Sequence, residues 1–405
     1  MKPHVVLSAG NIAHYHYAAL ALHKAGMLER YLCTFSGYET QSWWGRLLPE
    51  KERKRLQGKA IADLSKDVIT TIPLPYLTTQ VLRRANMLST NKSNAWASAW
   101  YDHASRKHAQ KAEIFHYVNS MGLQTAQAVK ARGGLTICDI RTEHIDTQET
   151  ILKTEYATLR LPYQSSRSQL RERIIQEYQT ADLLIVPSRY VRQTLIQQGI
   201  LASRITILPY GANLGQFSQW QQQYRNRQGT AFHILFVGQI TPRKGLHYLI
   251  TAFNSIQLPH SDLWIFGRGE PRYKGMLERM VHPNDKRVQF LGHRPQLELW
   301  QYYSQADVFV LPTISEGSAL VIYEAMAAGL PVITTPNAGS VVRDGVDGFI
   351  VPIRDPQALA EKLVWLYEHP EARREMGRSA AQRVREFTWA RYGERLLEVY
   401  RKILD

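Results

Sequence analysis

Short runs of apolar, β-branched residues alternate with stretches of helical period along almost the whole chain, and this alternation most restricts the folds open to it. Strands in a parallel sheet are covered on both faces, so they read as continuous apolar runs, whereas half-exposed antiparallel strands alternate. The first half has seven such runs, at 5–9, 31–35, 68–74, 114–118, 135–140, 183–187 and 205–208. The second has six, at 233–237, 263–266, 288–291, 308–311, 331–334 and 348–351. Each set predicts one doubly wound α/β sheet. Between them, Pro209-Tyr210-Gly211-Ala212-Asn213-Leu214-Gly215 and the polar run 219–228 read as a hinge. The expected division is an N-terminal domain over 1–213, a C-terminal one over 214–386, and a terminal helix over 387–405. In that helix Tyr392, Leu396, Leu397, Val399 and Tyr400 recur at helical spacing and would return it to the first domain.

Cys33 and Cys138 are the only two cysteines, each inside an apolar run, which predicts buried reduced thiols and excludes a disulfide framework or a zinc site. The apolar stretch after Met1 is interrupted by Asn11 and His14, and no window approaches the roughly 18 apolar residues of a membrane span, so a cytoplasmic protein is expected. The formal charge of +15 is uneven: residues 1–213 hold 27 Lys+Arg against 16 Asp+Glu, leaving 23 against 19 for the rest. A basic half attracts anionic membranes, nucleic acid or anionic substrates, and charge alone does not choose. The cations are scattered and form no recognition motif, which argues against nucleic acid. Trp43, Trp44, Arg46, Lys51, Arg53, Lys54, Arg55 and Lys59 interleave aromatics with cations. That pattern suits a helix lying peripherally on the inner face of an anionic membrane, or equally a solvated basic helix.

Ligands of open α/β sheets bind beyond the carboxyl ends of the strands. Three places there stand out in the second half. In Val237-Gly238-Gln239-Ile240-Thr241-Pro242-Arg243-Lys244-Gly245 a strand ends in glycine and two cations precede a helix, an arrangement suited to a diphosphate. After the run 308–311, Pro312-Thr313-Ile314-Ser315-Glu316-Gly317-Ser318 leads into a helix ended by Gly329 and Pro331. Ser318 is the expected N-cap, so the N–H groups of Ser318, Ala319, Leu320 and Val321 would offer an anion site. Glu316 and Glu324 flank that site and suit sugar or ribose hydroxyls, although a lone acid in a first turn is more often a helix-dipole partner. Trp264-Ile265-Phe266-Gly267-Arg268-Gly269 and Leu291-Gly292-His293 are strand-then-glycine corners that let backbone approach a planar ring.

Taken in order, these segments resemble the C-terminal domain of the retaining glycosyltransferases of family 4, with the GT-B fold of two Rossmann-like domains facing a cleft. The resemblance rests on 237–245, the Gly267–Gly269 turn, Leu291-Gly292, 306–331 with its Glu-x7-Glu pair, and 345–352, and covers nearly the whole second half. It implies a donor diphosphate neutralised by Arg243 and Lys244, with Gly238 and Gly317 lining its loops and the N–H groups of 318–321 holding it. Glu324 would bind the ribose and Glu316 the transferred sugar, while Arg268 and the backbone around Leu291 would flank the base. His144, after the run 135–140, is matched to a family histidine beside the donor sugar, and Gly10-Asn11 to a first-domain loop facing the acceptor, without the double glycine of many members. Three departures stand out: Gln239 where the family often has arginine, Ser318-Ala319 where many members have an aromatic residue and a glycine, and Gly339-Ser340 without a following acid.

The resemblance implies a UDP-, GDP- or ADP-sugar donor, a saccharide or lipid-linked acceptor, retention at the anomeric carbon, and no metal or other cofactor. A nucleotide-sugar epimerase or a non-catalytic sugar-nucleotide-binding protein on the same scaffold remains open at this level.

Overall fold

The computed structural model describes residues 3–10, 14–41, 50, 53, 63–214 and 231–404. Among these, β1 (Val5–Gly10), β2 (Leu28–Cys33), β3 (Ile69–Thr71), β4 (Ile114–Val118), β5 (Leu135–Asp139), β6 (Leu183–Val186) and β7 (Ile205–Ile207) form one sheet in the order β3-β2-β1-β4-β5-β6-β7. A second sheet runs β10-β9-β8-β11-β12-β13, from β8 (Phe232–Val237), β9 (Ser261–Phe266), β10 (Val288–Gly292), β11 (Val308–Leu311), β12 (Val332–Thr334) and β13 (Gly348–Ile350). Neighbouring strands pair parallel in both. Every expected run overlaps a strand. The largest differences fall on β2, which begins at Leu28 because Glu29 and Arg30 are half-buried, and on β3, which ends at Thr71 ahead of Pro73 and the helix Leu74–Arg84.

Both sheets reverse strand order once, between β1 and β4 and between β8 and β11. The crevice past the strand ends at such a reversal is where α/β sheets bind ligands. Gly10, the cation turn after β8 and the loop after β11 all lie at these two points.

The last helix, Trp389–Leu404, does return to the first sheet. Tyr392, Leu396, Val399 and Tyr400 are buried in one core with Tyr15, Leu22 and Tyr31, and the Tyr400 hydroxyl lies 2.9 Å from His116 Nδ1. A Cβ on Gly393 would stand 2.8 Å from the Cβ of Ala21, so glycine there lets this helix lie close against Tyr15–Lys24. Where the chain crosses between sheets the two strands of backbone run side by side, Ala212 N–H donating to Phe387 O at 2.8 Å. The boundary expected at 213/214 borders residues 215–230, which lie outside the described residues together with Asn11 and all of the 43–59 aromatic and basic cluster except Glu50 and Arg53. Cys33 and Cys138 are both buried and are not joined in a disulfide. No described helix is long and apolar enough to cross a membrane.

Candidate active site

The turn after β8 folds into a single 3-10 helix, Pro242–Lys244, capped by Gly245 in the left-handed region at φ 66°. A Cβ at Gly245 would stand 2.0 Å from Pro312 O, so only glycine permits both the conformation and the approach to the end of β11. The approach is held by Ile314 N–H and Thr313 Oγ1, which donate to Arg243 O at 2.9 and 3.0 Å. Two loops about seventy residues apart are thereby joined, and their charged groups meet. Arg243 donates to Glu316 Oε2 at 2.7 Å and to Ser315 O at 2.9 Å, and Lys244 Nζ donates to the same Glu316 oxygen. Burial would raise the Glu316 carboxyl, but Lys244 and Arg243 outweigh it and hold it down to about 2. Burial lowers Lys244, and Glu316 opposes that. The result is a fixed pair of cations against one carboxylate, with a surplus positive charge.

The helix Leu320–Ala327 begins beside this pair. Its N-cap is Ala319 and not Ser318, because the Ser318 hydroxyl turns inward to Tyr323, 3.2 Å away, and cannot reach the helix N–H groups. The expected anion site is also narrower, since Ala319 N–H is taken by Ala338 O at 3.3 Å. The N–H groups of Leu320 and Val321 remain without a backbone acceptor among the described residues, as first-turn groups do. Glu324 lies one turn further on and accepts from Gln296 Nε2 at 2.6 Å and Tyr303 OH at 3.2 Å; burial raises its carboxyl, and these two bonds oppose the rise.

Gly238 and Gly267 pack backbone on backbone: a Cβ at Gly267 would stand 1.8 Å from Gly238 O. Arg268 follows with an exposed side chain, its carbonyl accepting Ile240 N–H at 2.8 Å. Leu291 lies in β10, at the outer edge of the second sheet. Gly10 has φ 56° and donates to Tyr101 OH at 3.2 Å.

His144 is placed as a helix cap. Its Nδ1 accepts Asp146 N–H at 3.2 Å, its backbone N–H goes to Thr194, its ring lies against Tyr178, and it is only 5% exposed. The first-sheet residues that meet the second sheet's loop are its neighbours. Glu143, fully buried, accepts from Ser315 Oγ; Arg141 O abuts Gly317; and Ser188 Oγ donates to Gly317 O at 2.7 Å. Burial raises the Glu143 carboxyl to about 7, and its second oxygen has no hydrogen-bond partner. Glu143 was not among the expected site residues; its only signal in sequence is its place in the short loop between the buried strand Leu135–Asp139 and the helix Ile145–Thr158. Further out, Glu155 joins the halves through Arg354 at 2.7 Å and His247 at 2.9 Å.

Residues 231–369 match the family described as glycosyl transferases group 1. The match covers about a third of the chain and includes the cation turn, the loop around Glu316 and the helix Leu320–Ala327. It is similar to D-inositol 3-phosphate glycosyltransferase of Corynebacterium glutamicum (strain R), 30% identical over 240 residues, covering 54% of this chain and 57% of the relative. The same enzyme of Paenarthrobacter aurescens (strain TC1) is 32% identical over 216 residues, covering 50% and 52%. The chain thus spans little more than half the length of these relatives. Two solved structures share the GT-B fold over nearly their whole length: sucrose-phosphate synthase of Thermosynechococcus elongatus, with TM-score 0.64, 20% identity and 99% of each chain covered, and HepE of Anabaena in complex with UDP, with TM-score 0.66, 16% identity and 99% and 100% covered. At those identities the likeness concerns the fold.

Proposed function

We propose that the protein is a retaining, metal-independent family 4 glycosyltransferase that moves a hexose from a nucleotide-diphosphate sugar to a saccharide or lipid-linked acceptor. The reading rests on one observation above the rest: Arg243 and Lys244 converge at the foot of the helix Leu320–Ala327, at the strand-order reversal of the second sheet. In glycosyl transfer the hard step is departure of the anionic nucleotide diphosphate. Preorganised cations aimed at that charge lower the barrier as a bound metal would. Glu316 keeps both cations in place before the donor arrives, and the N–H groups of Leu320 and Val321 add a weaker attraction. Glu324 supplies an acceptor for ribose hydroxyls, and the Gly267–Gly269 turn and Leu291 flank the base. Retention follows if the acceptor enters on the face the phosphate leaves, a phosphate oxygen taking its proton. The match to glycosyl transferases group 1 and the UDP-bound structural neighbour make UDP-sugars the first donors to try.

The test is nucleotide binding in chelator. UDP, GDP or ADP at a hundred times its dissociation constant is expected to stabilise the fold by about 2.7 kcal/mol, and one of the three should raise the melting temperature with EDTA present. No shift with any of them would sink the reading. Product analysis with and without acceptor then separates transfer from epimerisation, and binding without turnover would indicate a non-catalytic protein.

Glu143 makes donor binding sensitive to pH in a stated direction. Facing it are Ser315, Glu316, Arg243, Lys244, Arg167 and Tyr190. Its raised carboxyl is neutral below about 7 and becomes an anion above, cancelling the surplus positive charge of the Arg243, Lys244 and Glu316 group. Nucleotide diphosphate affinity is therefore expected to weaken several-fold between pH 6 and 8.5, and Glu143→Gln to flatten that dependence. The same raised group contributes stability that is present in full below its unfolded value and is lost as pH rises through about 7. Glu177, also raised to about 7, titrates in the same window, so the comparison is wild type against Glu143→Gln. Identical pH profiles for the two proteins would remove Glu143 from this role.

A further inference from the structure

The helices Leu74–Arg84 and Thr90–Arg106 pack on one another at the outer side of the first sheet. Their outward face is apolar where a surface helix is normally polar. Leu74, Val81 and Met87 are 62%, 63% and 70% exposed, and Leu77 and Trp96 are exposed as well. On the first helix the 3.6-residue repeat puts Leu74, Leu77 and Val81 on one stripe, opposite the buried Pro75 and Thr79. On the second helix Trp96 is exposed as well, its ring 5.6 Å from Trp100.

Charge decides what covers such a face. Residues 68–112 hold six cations, Arg83, Arg84, Lys92, Arg106, Lys107 and Lys111, all exposed, and a single acid, Asp102. Asp102 is fully buried and bonded to Arg173, Gln124 and Thr125, so it neutralises none of them at the surface. Arg84 stands seven residues past Leu77, on the same stripe. An apolar stripe ending in cations that pair with no acid among the described residues repels a second copy of itself and matches a surface that is oily within and anionic at its rim.

We propose that the helix pair Leu74–Arg84 and Thr90–Arg106 docks this protein on an anionic lipid bilayer, the stripe Leu74, Leu77 and Val81 entering the headgroup boundary and Arg83, Arg84 and Lys92 meeting lipid phosphates. The pair also touches the crevice: Tyr101, on its second helix, accepts the N–H of Gly10 at the end of β1. A bilayer held there lies one helix away from the crevice mouth. The inference stands apart from the proposed transfer reaction, because it concerns a different surface and is tested without turnover.

The test is co-sedimentation of the full chain with phosphatidylcholine vesicles, with and without phosphatidylglycerol. Binding is expected only to the anionic vesicles and should fall as salt rises through the range where the screening length drops below about 10 Å. Each cation near an anionic surface contributes about fivefold in affinity, so R83Q/R84Q should lose roughly 25-fold, and L74S/V81S at least tenfold. Both pairs are exposed, so the melting temperature should not move. Equal partitioning onto neutral vesicles, or anionic binding that survives both double variants, overturns the proposal. A concentration-dependent dimer in sedimentation velocity that L74S/V81S dissolves would place a second copy on this face and overturn it too.

Discussion

Replacing Lys244 by alanine is expected to slow donor turnover by about a hundredfold or more, because losing one aimed donor costs roughly 3–4 kcal/mol where charge develops. The first-turn N–H groups of the helix Leu320–Ala327 are worth at most about 2 kcal/mol and cannot substitute for it. The variant should still fold: Lys244 is buried against Glu316, but Arg243 keeps its own bond to that carboxylate at 2.7 Å, so no unpaired charge is left inside. Glu324→Ala is the matching control. Glu324 touches Gln296 and Tyr303 and neither cation, so its loss should raise the donor KM and leave kcat nearly intact. Steady-state kinetics on both variants decide the matter, and equal, small effects would mean that the diphosphate sits elsewhere.

Gly317→Ala should be comparably severe through geometry alone. Gly317 has no positive φ; what it needs is space, since an added Cβ would lie 1.6 Å from Arg141 O and 3.1 Å from Thr142 Cα. Both obstacles are backbone of the first sheet's loop, so no side-chain rotation relieves them and the two halves must move apart by more than an ångström. Misplacements of about 1 Å can cost a hundredfold in rate. Arg243, Lys244 and Glu324 all belong to the second half, so nucleotide affinity should change little while kcat falls. A fall in affinity as large as the fall in kcat would show that the donor, too, depends on the seating of the halves.

The positions of both sheets were legible because a parallel strand, covered on both faces, leaves a continuous apolar run in sequence. The cation turn and the loop around Glu316 were legible because each begins where such a run stops. The one departure at the donor helix is local. Ser318 has the residue type of an N-cap, but its hydroxyl is drawn to Tyr323, so the capping position passes to Ala319. His144, expected beside the donor sugar, caps the helix Ile145–Thr158 through Asp146 N–H, donates its backbone N–H to Thr194 and packs on Tyr178, contacts that the sequence does not specify.

By itself the sequence determined the two doubly wound sheets, the returning C-terminal helix and the stretches that end at the crevice, because these follow from burial pattern and chain order. Tertiary structure alone decided which charges meet. Arg243, Lys244 and Glu316 join through a glycine turn that lets Pro312 O approach to a distance no Cβ allows. Glu143 joins Ser315 because Gly317 lets the backbone of one half rest on the other. Charge coupling falls off over a few ångströms, and a separation of that size between residues about seventy or more apart in sequence is set by packing, which no local pattern encodes.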